Sequence, residues 1–100
     1  MNVQRMSGER IVLLELESAS GLTRAEIVEL VEYGVFAPQG ERPEDWRFAG
    51  DALALARDAA RLRAAFDLGA PGLALLLAYR ERLAELEQRI RELEVLLPRA

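Results

Sequence analysis

The 100-residue chain contains no cysteine, no histidine and no lysine. Without cysteine there is no disulfide framework and no thiol chemistry. Without histidine the chain lacks the commonest acid–base catalyst and the commonest transition-metal ligand. Arginine supplies all 13 basic side chains, against 17 acidic ones, for a net charge of −4. That balance argues against a nucleic-acid partner and for a basic one. Long apolar runs are missing too. The most apolar stretch, "LGAPGLALLLAY" at 68–79, is too short to span a bilayer. No basic start followed by an apolar run marks a secretory leader, so a cytoplasmic location is expected. No phosphate-binding glycine loop, metal-ligand cluster or nucleophile motif occurs. The sequence therefore predicts no catalytic residues, no metal and no cofactor, and a protein that is not an enzyme.

What is present favours helix. Leu, Ala, Arg and Glu dominate, and 51% of residues are apolar, enough for one small globular domain. Residues 1–9 show no periodicity and read as a flexible terminus. Ile11 and Val12 open a short strand. "LLELESAS" at 13–20 reads as a short helix with Leu13, Leu14 and Leu16 inward, ended by Gly21. Thr23 followed by Glu26 forms a capping box that starts a second helix over about 24–33. Ile27, Leu30, Val31 and Gly34 share its inner side. Two short helices around a glycine turn fit a helix-turn-helix, or equally an ordinary helical corner.

Pro38 and Pro43 exclude helix from 35–48. Val35-Phe36 and Trp46-Arg47-Phe48 read as the two flanks of a hairpin, or wing. Trp46 and Phe48 lie two apart and so share a face. Two roles stand for Trp46, a cover for the core or an anchor for a partner. A third helix follows over about 50–66, with Leu55, Ala59, Leu62 and Phe66 as its expected buried stripe. "DLGAPG" breaks the chain, and Pro71 suits the first turn of a last helix over 71–97. In that helix Leu76, Tyr79, Leu83, Leu86, Ile90, Leu93 and Leu97 recur at alternating spacings of three and four. This a/d seam predicts a coiled coil and a homodimer, parallel or antiparallel. The domain organisation expected is a flexible 1–9, a helix-turn-helix domain over 10–69 and a coiled-coil helix over 70–100.

The second helix carries the informative surface. With its apolar side inward, Glu26, Glu29 and Glu32 fan across the outer side and Tyr33 sits at its edge. In a helix-turn-helix DNA reader this side enters the major groove. DNA is densely negative and is bound mainly by neutralising that charge. Three glutamates repel it.

The order of elements resembles the winged-helix half of the MerR regulators. It is more similar still to the CbpM-type chaperone modulators. The resemblance spans residues 11–97. It rests on "SGLTRAEIVELVEYGVFAPQG", on "WRFAGDALALARDAARLRAAFDLGAPGLALLLAY" and on the heptad tail. Its distinctive points are Gly34-Val35 with Pro38, Trp46-x-Phe48, "ARLR" at 60–63 and Pro71-Gly72. Ala49 departs from the pattern, standing where the third helix would prefer a Ser or Asp cap. The resemblance implies a mostly α fold, a MerR-like winged helix-turn-helix with a small β-wing and a long C-terminal coiled-coil helix. It implies a non-enzymatic partner of the J-domain of a DnaJ-like (CbpA-type) co-chaperone, inhibiting its work with DnaK by competition. Charge and exposure then make Glu26, Glu29, Glu32, Tyr33 and Trp46 the candidate J-domain contacts. The alternative is a MerR-like DNA-binding transcriptional regulator.

Overall fold

The computed structural model describes residues 10–98; the expected flexible terminus at 1–9 lies outside them. In chain order the elements are β1 (Arg10–Val12), α1 (Leu13–Ser20), α2 (Arg24–Glu32), a single 3-10 turn (Pro43–Asp45), β2 (Arg47–Ala49), α3 (Ala52–Phe66) and α4 (Ala70–Leu96). The fold is mostly α with a small β ribbon, as the sequence predicts.

Local chemistry sets each boundary. Gly21 ends α1 in the left-handed region at φ 90°, and its N–H donates to the Glu17 carbonyl. The capping box at α2 is present in full. The Glu26 N–H donates to Thr23 Oγ1 at 3.1 Å, and the Thr23 N–H donates to Glu26 Oε1 at 2.9 Å. Gly34 lies beyond the end of α2 at φ 82° and is exposed, so it closes the helix rather than extending its inner side. Asp67 at φ 54° ends α3, and Pro71 sits in the first turn of α4. Ala49 is not at the cap of α3. It ends β2, and Asp51 precedes the helix without a side-chain capping bond.

The wing is built differently from the expected hairpin. β2 pairs antiparallel with β1, in the register Arg10–Ala49, Ile11–Phe48 and Val12–Arg47. Val35 and Phe36 take no part in the sheet. One bridge between Gln39 and Arg47 closes the loop instead. Sequence distance hid this pairing, because β1 lies more than thirty residues before β2. Within the loop, Gly40 sits at φ 113°, and a Cβ there would lie 2.6 Å from the Asp45 carbonyl oxygen.

The core gathers around Phe48, which is 1% exposed. Phe36 and Trp46 both meet it edge to face, each with ring centroids 5.9 Å away. Leu13 and Leu16 of α1, Ile27 and Leu30 of α2, and Ala70, Leu73 and Leu77 of α4 complete it. Leu14 is exposed, because it points away from the stripe that Leu13 and Leu16 share. In α3 the buried stripe is Ala52, Ala56 and Ala59, so of the expected residues only Ala59 is buried. Leu55 and Leu62 are half-buried and Phe66 is exposed. α3 packs on α1 and meets it with its smallest side chains. The first turns of α4 pack into this core through Ala70, Leu73 and Leu77.

Replacing Gly40 with Ala forces a side chain into both a disfavoured φ and a backbone oxygen. It should lower stability by about 2 kcal/mol or more. Gly34→Ala has the same φ penalty but open space around its Cβ, and should cost only about 1–2 kcal/mol. Thermal unfolding followed by circular dichroism ranks the two. Equal losses would show that the contact at Asp45 is relieved.

Candidate partner-binding surface

The outer side of α2 begins with Glu26, and the structure removes that residue from the free surface. Its carboxylate serves the capping box and also pairs with the Arg63 guanidinium from α3. Both side chains are more than two-thirds buried, at 25% and 29% exposure. Arg63 reaches further, donating to the Gly21 carbonyl at 3.4 Å. Glu26 is therefore an internal tie between the helix-turn-helix and α3, not an available contact. Glu29 and Glu32 stay exposed, and neither is in an ion pair among the described residues. Tyr33, about half exposed, follows them at the C-terminal end of the helix.

Trp46 is 8% exposed and packs on Phe48 in the core. Of its two sequence roles the structure takes the first, and the indole is not presented to a partner. The cause is the β1–β2 pairing, which holds the segment 46–48 flat over the domain.

Beside Tyr33 the chain forms an open cleft of about 500 Å³ between the end of α2, α3 and α4. Val35, Leu55, Ala74, Leu77 and Ala84 give it an apolar floor. Tyr33, Asp58, Arg80 and Glu81 stand around it. Asp58 is already matched: it pairs with Arg61 on its own helix and with Arg80 of α4 at 3.8 Å. Glu81 is exposed and in no ion pair among the described residues. The cleft thus joins apolar side chains to one exposed carboxylate in its lining, Glu81 of α4, while Glu29 and Glu32 are exposed on α2, the helix that ends at Tyr33. Such a surface is suited to an amphipathic segment with basic side chains. Reading the sequence missed Glu81. Its only signal was that it lies across α4 from the seam, and the sequence alone did not say which wall that side of the helix faces.

The seam of α4 forms a second, separate surface. Leu76 is half-buried, while Tyr79, Leu83, Leu86, Ile90, Leu93 and Leu97 are 39% to 64% exposed. The cleft lies on the other side of the same helix, where Ala74, Leu77, Glu81 and Ala84 point. Among the described residues no single helix is long and apolar enough to cross a membrane.

Comparison with known proteins agrees with this architecture. The family model described as MerR HTH family regulatory protein matches residues 11–95. The chaperone modulatory protein CbpM of Coxiella burnetii is 36% identical over 80 residues, covering 80% of this chain and 76% of the relative. The protein of the same name from Pseudomonas putida is 38% identical over 86 residues, covering 83% of this chain and 82% of the relative. A second Pseudomonas putida strain carries a CbpM that is 37% identical over the same length. With most of its length aligned to them, this chain belongs to the MerR-like helix-turn-helix family and, within it, to the CbpM-type chaperone modulatory proteins.

Proposed function

We propose that this protein is a cytoplasmic, non-enzymatic chaperone modulator that binds the J-domain of a DnaJ-like co-chaperone and competes with DnaK for it. The observation that carries this reading is the sign of the exposed charge on the outer side of α2. Where a DNA reader of this fold needs cations, on the outer side of α2, this chain presents Glu29 and Glu32, and Glu81 adds a carboxylate at the cleft, none of the three in an ion pair among the described residues. J-domains engage DnaK through a basic helix, and the exposed carboxylates Glu29, Glu32 and Glu81 are the complement of such a helix. The names of the relatives support a role in the chaperone system. Complementary charge of this kind acts more on the rate of encounter and on the choice of partner than on raw affinity. Its reach is set by screening, about 8 Å at physiological ionic strength.

The double variant Glu29→Arg/Glu32→Arg should weaken binding to the full-length co-chaperone about tenfold or more, since several surface charges change sign together. Stability should change little, because both side chains are exposed. Calorimetry measures the binding, and DnaK ATP hydrolysis stimulated by the co-chaperone measures the inhibition. Extra DnaK should partly reverse inhibition by the unmodified protein. A folded double variant that binds and inhibits like the parent would remove the acidic surface from the mechanism. The MerR-like DNA-binding alternative is tested by gel shift at low salt with genomic fragments. No sequence-selective shift is expected, and one at submicromolar protein would overturn the chaperone reading.

We further infer that a second copy of this chain covers the seam of α4. Leu83→Asp/Leu86→Asp would place unpaired carboxylates there, at a cost of several kcal/mol, on the order expected for buried uncompensated charge. Light scattering should give a dimer mass for the parent and a monomer mass for the variant. Equal masses would sink this assignment.

A further inference from the structure

We propose that Arg80 is a built-in placeholder for the partner: its guanidinium holds the place beside Asp58 that a lysine or arginine of a basic amphipathic helix takes when that helix lies in the cleft. The inference rests on the reading that the partner presents a basic helix. It adds where one of that helix's cations goes and what controls its entry.

The cleft has the length of a helix. Leu55 and Asp58 of α3 line it, and Ala74, Leu77, Glu81 and Ala84 line it from α4. From Ala74 to Ala84 the α4 wall runs about 15 Å, at 1.5 Å per residue. A small cation would leave most of that wall wet. A helix covers it with side chains spaced at i, i+3 or i+4, and i+7. The charged lining residues are Asp58 and Glu81 against Arg80, so the net sign attracts a basic segment.

The two oxygens of Asp58 are held unequally. Oδ1 accepts from the Arg61 guanidinium, three residues along α3. Oδ2 accepts no hydrogen bond among the described residues, and its cationic neighbour is Arg80 of α4 at 3.8 Å. That separation is too long for a hydrogen bond and short enough for Coulomb attraction. Both ends are open to water, with side-chain exposures of 32% for Asp58 and 50% for Arg80. Such a pair holds weakly, and the long stem of Arg80 lets its head move out into solvent. A partner cation whose apolar neighbours sit on Val35, Leu55 and Leu77 excludes water from the same place. It can then make the charge-assisted hydrogen bond to Oδ2 that Arg80 does not make. A helix with no cation at this position leaves Arg80 where it is, and an acidic one is repelled by Glu81. The exchange therefore selects basic helices by what it refuses as well as by what it admits.

Calorimetry against the full-length DnaJ-like co-chaperone compares Arg80→Gln, Asp58→Asn and the two together. Asp58→Asn should weaken binding about tenfold, the loss of one hydrogen bond to a charged group. Arg80→Gln should tighten binding about twofold to fivefold, the worth of one exposed ion pair that no longer competes. With Asp58→Asn in place, Arg80→Gln should add nothing, because the acid it competes for has lost its charge. Unfolding followed by circular dichroism should match the parent, since both side chains are partly exposed. Weaker binding by Arg80→Gln would make Arg80 itself a contact and overturn the proposal. Equal tightening with and without Asp58→Asn would reduce the effect to net charge and overturn it too. If all three variants bind like the parent while Glu29→Arg/Glu32→Arg still weakens binding, the cleft is not the seat of the partner and the acidic side of α2 stands alone. A parent chain that fails to bind the co-chaperone at all would remove both readings.

Discussion

The contact on which the rest depends is that of the Glu26 carboxylate. It caps the first turn of α2 and meets Arg63 of α3 in one place. Arg63 also reaches the Gly21 carbonyl in the turn before α2. One partly buried ion pair thus ties together the turn, the helix start and the helix that packs behind them. Removing either partner would leave the other charge half-desolvated, which is the costly way to break such a pair. The contact also divides the acids of α2 by role. Glu26 goes to structure, and Glu29 and Glu32 are left to the surface.

The other organising element is the aromatic group around Phe48. Its two edge-to-face neighbours come from the loop before the 3-10 turn and from the residue just before β2. The group holds the ribbon and its long loop against the helices, although the sheet has only three residues in each strand. A two-stranded ribbon this short is not stable alone and relies on such packing. Burial of Trp46 follows from that need, and it leaves the cleft beside Tyr33, not the wing, as the accommodating surface.

α4 carries both surfaces proposed for this chain. One side completes the core and walls the cleft with Ala74, Leu77, Glu81 and Ala84. The other side carries the seam. A helix can serve both because its periodicity puts residues 77, 81 and 84 across the cylinder from residues 76, 79, 83 and 86. The proposed binding at the cleft and the proposed pairing along the seam would therefore use different atoms.

The sequence by itself determined the helices, their ends and their faces wherever the governing interactions are local. Thr23 with Glu26, Gly21 and Pro71 all act within one or two helical turns, so their spacing carries their meaning. Tertiary structure decided what depends on residues far apart in the chain. It paired β2 with β1 instead of with Val35-Phe36. It buried Ala52 and Ala56 beside the expected Ala59 in place of Leu55, Leu62 and Phe66, because α1 already fills the space against which α3 packs. It buried Trp46, took Glu26 out of the acidic surface through Arg63, and brought Glu81 beside Tyr33 to make the cleft. Each of these is a question of which side chain fills a shared space or meets an opposite charge, and no periodicity in one segment records the segment that will face it.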